Sequence, residues 1–395
     1  MKNMKTLAVA ATIASASLVL AACGSSSDSA DSAESTATET SAEETAAEET
    51  AAEETATEEA GSDSGMSDMA CVGGSIQSAG SSAQANAITE WVNAYQTACP
   101  DATIDYQPVG SGAGVESFVS GQVSFAGTDS AVVDDEMAAA TERCGGSPAI
   151  NIPMVGGAIA IAYNLEGVDS LTLSPDAIAG IFSSQITNWN DPAIAATNEG
   201  VTLPDATIAQ FHRSDSSGTT ANFSAYLATV APDIWTYDSG KEWTAPGGQG
   251  AKGSDQVIAS VEQTPNSIGY VDLSYVLEAV NAKSALLDQG GGAVEATAQN
   301  ASNALSAAEI VGEGNDLVLS IDYGTTAEGA YPITLVTYEL ACTGGLSEDQ
   351  NPELVKAFLS YAASDEGQSM LESIGYVPIT GDLLDKVRTS VDSLQ

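Results

Sequence analysis

The chain has few cations and almost no histidine. It carries ten Lys and Arg residues against 54 Asp and Glu, and its single histidine is His212. A net charge of −44 is the opposite of the basic face that binds nucleic acid, so we expect no nucleic-acid partner. A Ser-His-Asp triad would have to use His212, and the sequence has no Gly-x-Ser-x-Gly elbow. These shortages argue against the commonest hydrolytic machinery.

Nucleotide-binding signatures are also missing. The segment 248–253 does not supply the Gly-Lys-Ser/Thr of a Walker A loop. The segment 110–115 lacks the third glycine of a dinucleotide fingerprint at its required place. We therefore predict no catalytic residues and no cofactor, and we interpret the glycine-rich stretch 245–253 as a turn between elements.

The amino terminus has the pattern of an export signal. Two lysines, Lys2 and Lys5, precede a short uncharged apolar run that ends in Leu20-Ala21-Ala22-Cys23. A basic start and a short apolar segment are typical of a secretory signal rather than a membrane span. Small residues before Cys23 resemble a lipobox, which predicts cleavage after residue 22 and lipidation of Cys23, with several acyl chains giving a stable anchor. A plain signal cleaved near Ala22 is the alternative.

Residues 23–70 form an acidic segment of low complexity. From Gly24 to Ala70 there are 14 acidic residues and no Lys, Arg or aromatic residue, with repeats of Ala-Glu-Glu-Thr. Such a segment buries too little apolar surface to offset its ordering entropy, and its like charges repel. We expect a disordered tether that spaces a folded part from the membrane.

The folded part has only four cysteines, which allow three pairings. Cys71 opens the first predicted strand and Cys99 closes the following helix, so both lie at the same side of a strand–helix unit. This favours Cys71–Cys99 and leaves Cys144 with Cys342, and an exported chain can keep both pairs oxidised. Their spacings are unlike the Cys-x-x-Cys of a zinc site, so we expect no metal.

The most informative motif is an arginine just before a hydroxyl-rich helix start. Arg213 is followed by Ser214-Asp215-Ser216-Ser217-Gly218-Thr219-Thr220 and then by apolar residues at i, i+3, i+4 and i+7. That spacing predicts a helix with Ser217 or its neighbour as N-cap. A helix start offers free N–H groups, and a guanidinium matches a tetrahedral oxyanion. The motif therefore predicts binding of a phosphate-like anion.

Two further helix starts repeat this pattern. Gly80-Ser81-Ser82-Ala83 and Gly110-Ser111-Gly112-Ala113-Gly114 each precede an apolar helical face. Another short apolar run, 123–129, ends in Asp129. Each serine alone would be an ordinary cap and Asp129 an ordinary turn residue, but three such starts in one chain favour a shared ligand.

In this order the segments resemble the phosphate-binding proteins that serve ABC-type phosphate importers. The resemblance runs from about Ile76 to the carboxyl terminus and includes 106–111, 267–271 and 331–334. It implies that phosphate is held by Ser82, Ala83, Ser111, Asp129, Arg213, Ser217, Gly218 and Thr219. Asp215 matches the acidic residue that pairs with the arginine. Ser82 stands where the family commonly has Thr, and Ala83 where it has Phe, with a backbone N–H as the contact at that position.

Strand–helix alternation predicts an α/β fold with ligands beyond the carboxyl ends of the strands. The resemblance implies a two-lobed periplasmic-binding-protein fold with mainly parallel sheets. Lobe 1 would comprise 71–155 and 330–395, lobe 2 would comprise 156–329, and hinges would lie near 155 and 331.

We accordingly expect a high-affinity, extracytoplasmic inorganic-phosphate receptor. It would be a lipid-anchored monomer that delivers phosphate to an ABC permease. The alternatives are a binding protein for another oxyanion, such as sulfate or molybdate, and a secreted phosphatase on the same fold. The phosphatase would need a nucleophile or metal cluster that the sequence does not offer.

Overall fold

The computed structural model describes residues 69–395, so the predicted signal, Cys23 and nearly all of the predicted tether lie outside the described residues. The strands are β1 Gly74–Gly80, β2 Ala102–Gln107, β3 Phe125–Thr128, β4 Ala149–Asn164, β5 Thr172–Leu173, β6 Ala209–Arg213, β7 Gln249–Ala251, β8 Ser267–Asp272, β9 Lys283–Ser284, β10 Leu286–Asp288, β11 Ala293–Val294, β12 Glu309–Ile310, β13 Leu319–Ser320, β14 Thr334–Cys342 and β15 Tyr376–Pro378.

The helices alternate with these strands, as the sequence predicts. They are α1 Ala85–Ala98, α2 Ser111–Val119, α3 Asp134–Arg143, α4 Pro175–Phe182, α5 Pro192–Ala195, α6 Gly218–Val230, α7 Gly253–Gln263, α8 Leu273–Leu277, α9 Ala298–Leu305, α10 Pro352–Ala362, α11 Asp365–Ser369 and α12 Gly381–Asp392. In the part of the chain described, no helix is long and apolar enough to cross a membrane.

One large sheet organises the fold. Its order is β2-β1-β3-β14-β4-β8-β6-β7, and β15 and β9 also pair with β4. The outer strands pair in parallel, β1 with β2 and β3, and β6 with β7 and β8. The central pairs of β14 and β4 with their neighbours are antiparallel. The predicted α/β class is confirmed, but the pairing is mixed rather than mainly parallel, because β14 and β4 are each antiparallel to all the strands they pair with.

Strand β4 belongs to both halves of this sheet. Residues 149–158 pair with β14, and residues 159–164 pair with β8. We call β1, β2, β3, β14, β15 and residues 149–158 the first half of the sheet. We call β6, β7, β8, β9 and residues 159–164 the second half. All but the last of the 16 residues in β4 are buried, which explains its nearly continuous run of small and apolar side chains.

Each half packs its own buried apolar side chains. In the second half, Phe223 stacks on Tyr270 with ring centroids 4.4 Å apart, and Phe182 meets Phe223 edge to face at 4.9 Å. In the first half, Trp91 and Phe125 are buried beside Phe358 of α10. The helical periodicities read from the sequence therefore mark the faces that cover the sheet.

Both disulfides lie in the first half. Cys71 is bonded to Cys99 and Cys144 to Cys342, with Cα atoms 5.3 and 5.5 Å apart. The first links the chain before β1 to the end of α1, and the second links α3 to the end of β14. The predicted pairing is confirmed, and all four thiols are unavailable to a metal.

Candidate functional site

Four helices begin at one place beside the sheet. Helix α1 follows β1, α2 follows β2, α6 follows β6 and α7 follows β7, each at the carboxyl end of its strand. Two of these strands belong to each half of the sheet, so the helix starts face one another across its middle. Their first turns carry N–H groups that have no acceptor within their own helix and present the positive ends of the helix dipoles. This convergence forms a site suited to an anion.

Arg213 is the cation of the site. It ends β6, its side chain is only 2% exposed, and Asp215 holds it by two parallel bonds of 2.7 Å from Nε and 2.5 Å from Nη2. Burial alone would lower the pKa of Arg213, but the bonds and charge of Asp215 outweigh it and raise that pKa. The same pair lowers the pKa of Asp215 despite its burial. The guanidinium is therefore fixed in plane and permanently charged, as predicted.

Asp129 is the acceptor of the site. It follows β3 and is 3% exposed. Thr337 donates to Oδ1 at 2.8 Å, and Ser111 and Thr219 lie 3.4 Å from Oδ2. Burial raises the pKa of Asp129 above its ordinary range, although hydrogen bonds from Ser81 and Thr337 hold back part of the rise. A carboxylate with a raised pKa is a strong hydrogen-bond acceptor and favours a ligand that has an O–H group to donate.

The serine hydroxyls divide into one that caps its own helix and two that bond to other elements of the cluster. Ser217 caps α6, because its Oγ accepts from the N–H of Thr220 at 3.2 Å. Ser111 does not cap α2, whose N-cap is Gly110; its Oγ instead accepts the N–H of Asp129 at 3.1 Å. Ser82 lies before α1, whose N-cap is Gln84 without a side-chain bond. The hydroxyls of Ser82 and Ser111 therefore point into the cluster rather than serving their own helices.

Ala83 differs from the expectation carried by the resemblance. Its N–H, the predicted ligand contact, donates to Ser81 Oγ at 3.0 Å. Its carbonyl oxygen accepts from Tyr376 at 2.6 Å. For Ala83 to offer its N–H to an anion, the Ser81 hydroxyl must rotate away or share that donor.

Gly218 lets the two halves approach closely. A Cβ at this position would lie 2.6 Å from Asp129 Cβ and 2.6 Å from Ser111 Oγ. The Gly112 N–H donates to Ser216 O at 3.0 Å, which adds a main-chain bond across the same junction. Only glycine permits α6 to begin against the acceptor of the opposite half.

Three residues join the cluster without having been predicted. Ser254 in the first turn of α7 is 1% exposed; its Oγ lies 2.9 Å from Ser82 Oγ and 3.5 Å from Arg213 Nη1. Thr337 comes from β14. Asn222 donates to the Asp129 carbonyl at 2.8 Å. The stretch interpreted only as a turn thus ends in a fourth helix start of the cluster, and the Gly-Ser before the apolar residues of α7 was the available signal.

The predicted site residues therefore lie together. Arg213 Nη1 is 3.4 Å from Thr219 Oγ1, which is 3.4 Å from Asp129 Oδ2. His212 is separate: its ring stacks on Trp243 at 4.8 Å, and burial lowers its pKa. Among residues 69–395, no group of three or more His, Cys, Asp or Glu side chains is placed to hold a metal ion.

The fold defines the class of protein. Residues 35–366 match the family model described as the PBP superfamily domain. Among solved structures, the periplasmic phosphate-binding protein PfluDING bound with phosphate superposes with a TM-score of 0.64 at 20% identity, covering 80% of this chain and 93% of that one. A phosphate-binding protein from Stenotrophomonas maltophilia gives 0.63 at 18% identity with the same coverage. The fold is the two-lobed one of the periplasmic binding proteins.

Sequence relatives narrow the class. Phosphate-binding protein PstS 3 of Mycobacterium tuberculosis is 41% identical over 323 residues, or 81% of this chain and 86% of that protein. Phosphate-binding protein PstS of Xylella fastidiosa is 32% identical over 320 residues, 79% of this chain and 83% of that protein. The chain belongs to the PstS family of phosphate-binding proteins.

Proposed function

We propose that this protein binds inorganic phosphate outside the cytoplasm and delivers it to an ABC permease. One observation carries the proposal: a buried carboxylate, Asp129, is ringed by hydroxyl groups and lies across from a buried guanidinium, Arg213. Relatives named phosphate-binding proteins support it.

We infer the ligand set from the family resemblance, and this geometry supports it. The anion accepts charge-assisted hydrogen bonds from Arg213 and further hydrogen bonds from N–H groups at the helix starts, while Asp129 accepts a hydrogen bond from an O–H group of the anion. Near neutral pH phosphate retains one or two protons and sulfate retains none. The proposed contacts are Ser82, Ala83, Ser111, Asp129, Arg213, Ser217, Gly218 and Thr219, with Asp215 fixing the guanidinium.

The ligand is enclosed between two lobes. We assign 71–155 and 330–395 to lobe 1 and 156–329 to lobe 2, with hinges near 155 and 331. This places Asp129 and Arg213 in different lobes, so an anion bridging them favours the closed form. The anion is released unchanged, since the proposed contacts bind and orient it without a nucleophile.

A lipid on Cys23 holds this monomer at the membrane, and residues 24–70 act as its tether. Changing Cys23→Ser should release the protein into the medium or block processing. Retention of the fully processed variant at the membrane contradicts the anchor.

Binding is tested by native mass spectrometry of protein purified without added phosphate, followed by calorimetric titration. We expect a bound mass of phosphate and saturable binding after it is removed. An assay with a chromogenic phosphate ester accompanies it, and turnover there contradicts a binding-only role. Failure of phosphate to bind at any pH contradicts the proposal itself.

A further inference from the structure

A buried carboxylate outside the cluster has half of its hydrogen-bonding capacity unused. Asp272 ends β8 and is 0% exposed. Its Oδ1 accepts the Ser274 N–H at 3.0 Å and lies 2.7 Å from Ser274 Oγ. Its Oδ2 has no hydrogen-bond partner and is packed 2.5 Å from where a Cβ on Gly157 would be. A charged carboxylate in such a place is costly.

A chain of oxygen atoms runs from Asp272 to the loop between β1 and α1. Ser274 Oγ lies 2.9 Å from Tyr376 Oη, and Tyr376 Oη lies 2.6 Å from the carbonyl oxygen of Ala83. Tyr275 adds a second bond to this loop, from its hydroxyl to the Ser82 carbonyl at 2.7 Å. The chain crosses between the two halves of the sheet at the contact of Ser274 with Tyr376.

The number of protons available decides the charge of Asp272. The chain of oxygen atoms has three oxygen–oxygen contacts, and each contact needs one proton. The Ala83 carbonyl supplies none, and Ser274 and Tyr376 supply one each. Asn86 cannot supply the third, because its amide donates to Ser274 Oγ from outside the chain. If Asp272 is ionised, two lone-pair-bearing oxygens face each other; if it is protonated, Asp272 donates to Ser274, Ser274 to Tyr376, and Tyr376 to Ala83.

The surroundings agree with the protonated form. Burial raises the pKa of Asp272 to about 7, and the charge of Asp129 adds to the rise, while the bonds from Ser274 oppose it. The titratable groups that face Asp272 are Tyr275 on α8, Tyr376 on β15 and Asp129 beyond β3. On strand β4, Gly157 lies beside Oδ2 and Ile159 pairs with Asp272, and neither residue titrates. None of these groups is a cation that would stabilise the ionised carboxylate.

We propose that Asp272 is a positioning residue that carries a proton in the closed form, holding the Ser82–Ala83 loop through Ser274 and Tyr376, so that phosphate binding takes up a proton at Asp272. The inference rests on the proposed function, because the loop it holds supplies two of the proposed contacts. When the halves separate, the contact of Ser274 with Tyr376 is lost and water reaches Asp272, so its pKa falls towards the ordinary value.

The sign of the pH dependence follows from linkage. The closed form has the higher pKa at Asp272, so this contribution to affinity is complete below the pKa of the open form. It is lost as pH rises through the closed-form pKa of about 7, and it is constant from about one pH unit above that value. Phosphate and Asp129 titrate as well. The measured quantity is therefore the ratio of the phosphate affinity of a variant to that of its parent protein at the same pH, in which those contributions cancel.

The experiment is calorimetric titration of inorganic phosphate into wild type and Asp272→Asn from pH 5 to 9. An amide offers Ser274 a permanent donor without a charge. The ratio of variant to wild-type affinity should rise at least about tenfold between pH 5 and 8 and then level off. In two buffers of different ionisation enthalpy at pH 5.5, wild type should take up close to one proton more than the variant.

Two further variants distinguish an effect of the hydrogen-bonded oxygens from the general effect of removing a negative charge. Asp255→Asn removes an exposed carboxylate from the first turn of α7. The ratio of its phosphate affinity to that of wild type should not change with pH. In a Tyr376→Phe background the proton shortage disappears while the burial of Asp272 remains, so adding Asp272→Asn should raise the affinity ratio with pH clearly less than it does in the wild-type background. If Tyr376→Phe does not fold, the proton uptake of wild type against Asp272→Asn still decides.

Each outcome has one meaning. The inference is overturned if the affinity ratio of Asp272→Asn to wild type does not change with pH, or if both proteins take up the same number of protons. It is also overturned if the ratio for Asp255→Asn changes with pH as steeply as that for Asp272→Asn. Each of these results leaves phosphate binding intact. A slope that is as steep in the Tyr376→Phe background as in the wild-type background overturns the role of the hydrogen-bonded oxygens. If wild type does not bind phosphate at all, the proposed function fails instead.

Discussion

The two halves of the sheet bring opposite groups to the site. The first half supplies the acceptor Asp129 together with Ser82 and Ser111, and the second half supplies the guanidinium of Arg213 together with Thr219 and Ser254. An anion that still carries a proton needs both an acceptor and a cation. Neither half alone can satisfy it, which makes the site sensitive to how the halves meet.

The halves are also stabilised differently. All four cysteines of the folded part lie in the first half, and residues 145–341 contain none. The second half relies on packed rings, including Phe182, Phe223, Trp243 and Tyr270. Both halves are held by buried side chains, but only the first is also cross-linked, so reduction should affect the two halves unequally.

The largest effect should come from removing the cation of the second half. Arg213→Ala leaves Asp215 buried without its partner, and losing one side of such a pair costs about 2–5 kcal/mol. Phosphate affinity measured by calorimetry should fall by tens to thousands of fold. The neighbouring change His212→Ala should do far less, because that ring stacks on Trp243. Equal losses from the two variants would mean that the anion does not meet the guanidinium.

The next largest effect should come from removing a disulfide of the first half. The bond between Cys144 and Cys342 closes a loop of 198 residues, whereas that between Cys71 and Cys99 closes one of 28. If disulfides stabilise by lowering the entropy of the unfolded chain, replacing Cys144 and Cys342 by serine should lower the free energy of unfolding by about 2 kcal/mol more than replacing Cys71 and Cys99. Urea denaturation without phosphate measures both. A larger loss from the short loop contradicts this account.

A smaller effect is expected at the acceptor. Asp129→Asn removes the charge that repels a fully deprotonated anion and offers an amide donor instead. Sulfate affinity should rise about tenfold relative to phosphate affinity, equivalent to about 1.4 kcal/mol. Calorimetric titration of both anions into both proteins measures the ratio. If it does not change, Asp129 has no part in choosing the anion.

The smallest effect concerns an ion pair between the halves. Lys241 Nζ lies 2.9 Å from Glu136 of α3, and the Glu136 side chain is 52% exposed. Exposed pairs contribute about 0–1 kcal/mol and weaken with salt. Lys241→Ala should therefore speed phosphate dissociation in stopped flow by less than about fivefold, and only at low salt. The control Lys283→Ala breaks an exposed pair within the second half and should leave the rate unchanged; an equal acceleration there would exclude a role for closure.

Much of this site could be predicted from local sequence. The periodicity after Ser217 marks α6, and Arg213 with Asp215 lies within five residues of it, so chain connectivity alone brings cation and helix start together. Ser111 was found in the same way. The cysteine pair of the first strand–helix unit followed from the antiparallel return of α1.

Other parts depend on register between distant strands. Thr337 lies in a wholly buried strand and looks like core, yet its hydroxyl donates to Asp129 across 208 residues of chain. Ser254 meets Ser82 across 172 residues of chain, and Tyr376 meets Ala83 across 293. No local pattern encodes such pairs.

Strand β4 has a consequence for the order in which the molecule can assemble. Its residues 149–158 need β14, which is synthesised only after the whole of the second half, and β14 also separates β3 from β4. A growing chain can pair 159–164 with β8 well before the first half has its central strand. Until residues 334–342 emerge, β3 and β4 keep open edges, and Cys144 has no partner to oxidise with. A chain that is only partly exported is therefore exposed to aggregation and mispaired disulfides until residues 334–342 have emerged.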